Sequence, residues 1–309
     1  MKRFAALIAL TTLAASGCVQ NNEPEDAVRE ALPLASDVRV NVPDEAGDQQ
    51  AALGEVSEYY ALTRGISREF NGGAGFTLLL VHVIVQFPPT TVSGDTYTWG
   101  PFSDALDPSD YRLVVTDNGD GTYDWSLDGQ SKIDSSAGFI TAVSGVAVEG
   151  AEPHRGSGSF TLNFDNMKIL DPVEHADSNG GIVEVTYDLE NRDGTQASID
   201  MHIETTDDDA NEIVADYRYA ENQDRSGDFQ FSLPTDVDED GSLLEDVVLR
   251  SRWLSDGSGR SDARVSGGDL GSDVAEVSQC WGTDFRTVFE TASIPDLLVE
   301  AGDEADCAF

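Results

Sequence analysis

The chain has 309 residues, 39 % of them hydrophobic and 8 % aromatic, which is enough apolar side chain to build a folded core. Its 58 acidic residues against 18 basic give a formal net charge of −40, which excludes general nucleic-acid binding, because a polyanion needs a basic footprint. The recognised catalytic signatures are missing too: there is no Gly-x-Ser-x-Gly elbow, no His-Glu-x-x-His, no phosphate loop and no dinucleotide fingerprint.

The chain begins with a short basic run, Met1-Lys2-Arg3, followed by an apolar run from Phe4 to Leu13. Small residues, Ala14-Ala15-Ser16-Gly17, then lead directly into Cys18. This resembles the lipobox of bacterial lipoproteins, over residues 1–18 only, with Ala15 where an aliphatic residue such as Leu or Val is commoner. The resemblance implies that residues 1–17 are a signal peptide and that Cys18 becomes the acylated first residue of the mature chain. Two or three acyl chains anchor firmly, since each buried methylene contributes about 0.8 kcal/mol. An apolar run of about ten residues is too short for a membrane span, which needs about twenty. Val19 stands where some lipoproteins carry the Asp that retains them at the inner membrane, so the resemblance implies outer-membrane delivery. Loss of Lys2 and Arg3 leaves 58 acidic against 16 basic residues, near −42, with Lys132 and Lys168 as the only lysines. Adaptation to salt, which screens self-repulsion, and binding of cations or a cationic partner both fit this charge.

Residues 18–50 are polar and without sustained periodicity, and read as the acylated cysteine plus a flexible tether. From residue 52 the pattern changes. Val56, Tyr59, Thr63, Ile66 and Phe70 recur at three- and four-residue steps, an amphipathic helix with Asn71-Gly72 as a stop signal. Phe76 to Phe87 is nearly all apolar and ends at Pro88-Pro89. Across Gly72-Gly73-Ala74-Gly75 it predicts the second arm of a helical hairpin at 52–87, with His82 as a core histidine.

Beyond Thr96 the period falls to two. Tyr123, Trp125 and Leu127 alternate with polar neighbours, as do Phe160 and Leu162, Val183 and Val185, Ile199 and Met201, Tyr217 and Tyr219, and Phe229 and Phe231. Turn signals such as Asn118-Gly119-Asp120-Gly121 and Gly257-Ser258-Gly259 separate the runs. The expectation is one mainly β (α+β) domain over residues 51–309. About ten to twelve strands would form a large curved antiparallel meander sheet or incomplete barrel wrapped over the N-terminal helical hairpin. That shape is similar to the periplasmic lipoprotein-carrier folds, a likeness of architecture alone.

Three sets of side chains carry candidate chemistry. With Cys18 acylated, Cys280 and Cys307 are the remaining cysteines in an oxidising compartment, and a disulfide between them would pin the C-terminal tail. Asp236, Asp238 and Asp240, followed by Gly241, match the first half of a calcium loop. Val247 stands where the bidentate Glu should be, and an acidic hairpin turn fits the same residues. Asp207-Asp208-Asp209 is a weaker version of the same pattern. Arg250, Arg252, Arg260 and Arg264 flank a turn and would either bind an anionic headgroup or pair with neighbouring acidic strands. No cofactor is required by these patterns, calcium being the one candidate. The functional expectation is a non-enzymatic, membrane-anchored envelope lipoprotein that binds an apolar ligand or lipid in its curved sheet. The alternatives are a structural or interaction protein of the envelope, and a polymer hydrolase using paired carboxylates.

Overall fold

The computed structural model of the chain describes residues 24–43, 56–134, 136–173, 175, 180–191, 194–206, 212–236, 243–294 and 297–309. Two helices come first, α1 (Pro24–Ala31) and α2 (Glu58–Val85). The first strands are β1 (Thr91–Ser93), β2 (Thr96–Phe102), β3 (Ser109–Asp117), β4 (Thr122–Ser131), β5 (Ile140–Val148) and β6 (Ser157–Asn163), after which comes a short helix α3 (Phe164–Leu170). Next are β7 (Ile182–Asp188), β8 (Thr195–Thr206), β9 (Glu212–Asn222), β10 (Gly227–Thr235) and β11 (Glu245–Trp253). The last four are β12 (Gly259–Gly267), β13 (Val274–Trp281), β14 (Thr287–Ile294) and β15 (Leu297–Gly302).

All fifteen strands form one open antiparallel sheet in which spatial order equals chain order. The period-two pattern explains this directly. Tyr97, Val115, Trp125, Gly145, Phe160, Val185, Met201, Tyr217, Phe231, Leu249, Ala263, Val277 and Ala292 lie opposite one another from β2 to β14, one continuous apolar rank on the inner face. Large aromatics in this sheet lie over glycines of the next strand. A Cβ at Gly145 would stand 2.8 Å from Trp125, one at Gly227 would stand 2.3 Å from Trp253, and one at Gly259 would stand 2.3 Å from Trp281. These glycines are there because the rings need the space.

The sheet bends over α2. The backbone of Tyr59, in the first turn, meets Gln279 of β13, and Phe87, just past the last turn, accepts the Trp99 indole N–H of β2 at 2.7 Å. Those strands are eleven spacings apart in the order, about 53 Å along the sheet at 4.8 Å each, whereas 28 helical residues span about 42 Å. The arc exceeds the chord, so the sheet is curved.

Two expectations are corrected here. The helical hairpin at 52–87 is instead one helix that runs through Gly72-Gly73-Ala74-Gly75 without a break. Each interior glycine costs about 1 kcal/mol relative to Ala. Burial of Tyr60, Val81, Ile84 and Val85 against the sheet offsets that cost, at about 1.5–3 kcal/mol per large apolar side chain. The helix stops before Phe87-Pro88, where proline restricts the residue ahead of it. The His82 side chain lies outside the described residues.

The second correction concerns the tether at 18–50, which is not free along its length. Pro24 opens α1 with Glu25 and Asp26 in the first turn and Arg29 in the last, as the helix dipole favours. Val28, Ala31 and Leu32 share one face and are buried in the main core, joined by Val38 and Val40. Arg29 donates to the carbonyls of Val85 and Phe87, capping the C-terminus of α2. His154 fixes the segment from the β5–β6 connection, donating its backbone N–H to Glu30 at 2.7 Å and placing Nδ1 2.9 Å from the Leu32 carbonyl. Residues 24–43 therefore follow the rim that carries the β5–β6, β9–β10 and β11–β12 turns.

Candidate functional site

The concave face carries the apolar surface. Under α2 it is closed: Trp99, Trp253, Trp281, Tyr187, Tyr219, Phe160 and Phe229 are fully buried. The N-terminal turn of α2 sits on a buried polar seat. Ser57 donates to Gln279, Thr63 Oγ1 lies 2.5 Å from Ser251 Oγ, and Ser251 lies 2.6 Å from Ser261. Each hydroxyl has a partner, so the seat fixes the helix register without leaving polar groups unsatisfied.

Away from that seat, toward the opposite rim, the cover thins. Leu233, Val247, Val265 and Ala275 face one another across β10, β11, β12 and β13 in strict register. All four are only half-buried. They extend the inner apolar rank and leave aliphatic surface in reach of solvent. Deeper inside, over β4 to β7, Trp125 Nε1 and Tyr187 Oη are buried and have no hydrogen-bond partner. Burial pushes the Tyr187 phenol well above its ordinary pKa, so it stays a neutral donor.

No protein-family model matches the chain, and the curated proteins and the solved structures hold no significant match either. The functional reading therefore rests on the sequence and the geometry.

The rim closed by residues 24–43 has its own polar centre. Glu221 is 1 % exposed, and its Oε2 accepts from Asn41 Nδ2 and from Tyr219 Oη, both at 2.9 Å. Tyr219 Oη also accepts the Asn41 backbone N–H at 3.0 Å. Burial, reinforced by the Glu221 charge, pushes the Tyr219 phenol far up and keeps it protonated as a donor. Sequence reasoning missed this cluster, since Asn41 and Glu221 lie 180 positions apart. The one available signal was a Glu at an inward register position next to Tyr219.

The convex face carries the charges in ladders. His202 is paired on both ring nitrogens, Nδ1 with Asp216 at 2.7 Å and Nε2 with Glu204 at 3.4 Å. The Asp216 hydrogen bond, helped by Glu204, raises its pKa above 6.5. Glu184, Asp200, His202, Asp216, Arg218 and Gln230 line a shallow depression of about 460 Å³ over β7 to β10. Arg218 is tied to Asp200 at 2.8 Å.

The four arginines predicted from sequence do share one face. Arg250 pairs with Asp228, Arg252 and Arg260 with Asp262 at 3.1 and 2.7 Å, and Arg264 with Glu276 at 3.1 Å. Arg252 and Arg260 stand directly opposite each other, a repulsive arrangement that the shared Asp262 relieves. Although burial pushes the Asp262 carboxyl up, the Ser278 hydroxyl and the two guanidiniums outweigh it and hold it below the usual range. Of the two readings open for this cluster, acidic pairing is the one these contacts support.

Cys280 and Cys307 form a disulfide with Cα atoms 5.5 Å apart. It holds the tail against the convex face, where Glu304 meets Arg260 at 3.2 Å and the Phe309 ring lies 5.0 Å from the Arg252 guanidinium. Of the calcium candidates, Asp236 is half-buried at the end of β10. Asp238, Asp240 and the run 207–209 lie outside the described residues.

Proposed function

We propose that this chain is a non-enzymatic envelope lipoprotein, anchored through Cys18, that holds an apolar ligand such as a lipid chain against the concave face of β10–β13. The observation that carries the reading is the half-buried rank of Leu233, Val247, Val265 and Ala275, aligned across four adjacent strands. Aliphatic surface arranged this way on the inside of a curved sheet gains about 25 cal/mol for each Å² an apolar ligand covers.

Anchoring at Cys18 would also orient the body. Pro24 is six residues beyond Cys18, a reach of at most about 20 Å for an extended chain, and α1 docks on the rim of the β5–β6 turn. That rim would face the membrane. The opposite rim would stand farther out by about the length of β4, ten residues or roughly 33 Å.

Native mass spectrometry of residues 19–309, exported to the periplasm without the anchor, tests the ligand reading. We expect a stoichiometric apolar adduct that is recovered on organic extraction and lost in a Val247→Asp/Val265→Asp variant. A clean apoprotein mass would refute it. Cys18→Ser separately tests the anchor: the protein should move from the membrane fraction to the soluble periplasm.

A further inference from the structure

The rim opposite α1 carries a second apolar surface, this one on the outside. The loop 103–108 after β2, residues 132–134 and 136–139 after β4, and α3 with residues 171–173 come together there. The Lys132 backbone N–H donates to the Pro108 carbonyl at 2.9 Å, and the Ser109 hydroxyl donates to the Leu170 carbonyl at 2.7 Å. The Asn166 side-chain amide donates to the Thr141 carbonyl at 2.8 Å. Leu170 is 1 % exposed and plugs the inner face over Gly129, so α3 is fixed to the sheet.

On these fixed loops the apolar side chains point the wrong way for a core. Leu106 is 94 % exposed, Val173 82 %, Ile133 81 % and Ile169 61 %, the four most exposed large hydrophobic side chains among the described residues, and Phe102 at 43 % joins them. Scattered exposed aliphatics are ordinary, but a concentration on neighbouring loops marks an interaction surface. The presentation is pre-shaped. The Lys132 ammonium donates to the carbonyls of Asp104 and Asp107 and pairs with Asp110 at 3.4 Å, holding the 103–108 loop in place. Asp104 Oδ1 in turn accepts the Leu106 backbone N–H at 2.9 Å.

Charge selects the occupant. Asp104, Asp107 and Asp134, exposed around the apolar side chains, outnumber the exposed Lys168 of α3, and Lys132 is committed to the loop. A second copy carrying a net charge of −40 would be repelled, and so would an anionic lipid surface. We infer that this rim docks a protein partner whose contact face has an apolar centre ringed by basic side chains. The inference stands on exposure and charge at this rim, and does not depend on a ligand on the concave face.

The test uses the anchor-free chain and two labelled synthetic peptides. One is a lysine-flanked Leu/Phe peptide, and the other has equal charge with serines in place of the apolar centre. Fluorescence anisotropy at physiological salt should show the apolar-centred peptide binding at least tenfold more tightly than the serine control. Leu106→Ser/Ile133→Ser/Val173→Ser should abolish that margin while leaving the control's binding and the circular dichroism spectrum unchanged, because all three side chains are outside the core. Equal affinity for both peptides, or a margin that survives the triple substitution, would overturn the inference. So would self-association or vesicle binding that the triple substitution removes, since the rim would then serve a second copy or a lipid surface.

Discussion

Leu32→Ala tests whether the segment after Cys18 is tether or core. Leu32 is 2 % exposed, packs with Val28, Val38 and Val40, and its carbonyl faces the His154 ring. Truncation to Ala removes three carbons, about 2.4 kcal/mol of transfer free energy at 0.8 per methylene. The residual cavity brings the expected loss to about 2–5 kcal/mol. For a chain of this size each kcal/mol lowers the melting temperature by about 2–4 °C, so a loss near 3 kcal/mol corresponds to a drop of about 6–12 °C. Thermal unfolding followed by circular dichroism, with the disulfide intact in every sample, reads this directly. Arg39→Ala is the matched control, an exposed residue of the same segment, expected to change stability by no more than about 0.5 kcal/mol. If Leu32→Ala melts together with Arg39→Ala, residues 24–43 are not docked in solution and the closed rim described above is wrong.

Gly259→Ala should destabilise by about 1–3 kcal/mol, because the new Cβ would stand 2.3 Å from the Trp281 ring and 2.5 Å from the Arg252 carbonyl; Gly138→Ala, with open space around it and no left-handed backbone to strain, is the comparison in the same melting assay. Replacing Cys280 and Cys307 together by Ser reopens a sequence separation of 27 residues, for an expected loss on the order of 3–4 kcal/mol. Urea midpoints of the oxidised chain and the double variant measure that loss, and equal midpoints would contradict it. His202 should titrate above 6.5 by NMR, since it gains Asp216 and Glu204 only in the folded chain. The stabilisation it brings is complete below about pH 6.5 and is lost as pH rises through the raised value. Asp216→Asn should bring the titration back toward 6.5, and no movement would show that this carboxylate is not its main partner.

Much of the sheet was legible because a strand with one wet face writes its period into the sequence. Tyr123-Asp124-Trp125-Ser126-Leu127 announces which side chains go in, and the structure buries those three and exposes Asp124. The disulfide pairing was equally open to reading, with two candidate cysteines left. The uninterrupted helix was not, because Gly72-Gly73-Ala74-Gly75 is a local stop signal, and the contacts that override it come from strands 200 residues later, at Ser251 and Gln279. The docking of α1 was hidden for the same reason. Val28, Ala31 and Leu32 make a single apolar turn in an acidic stretch, too short to signal a helix without the partner surface. The arginines at 250, 252, 260 and 264 could be placed on one face from their spacing, but their carboxylate partners at 228, 276 and 304 come from other strands or the tail.

Because spatial order follows chain order, the number of strands in this sheet is not fixed by any crossing connection. What fixes it is α2, which acts as a ruler. Its two ends are seated on β2 and β13, so hairpins inserted between those strands lengthen an arc whose chord stays the same. One extra hairpin adds two spacings, about 10 Å of arc, and can be matched by about six more helical residues or absorbed as tighter curvature. Helix length and strand number should therefore change together in chains built on this plan. Hairpins added beyond β13 escape the constraint, but the tail would then have to lengthen, because the disulfide ties it back to Cys280 on β13.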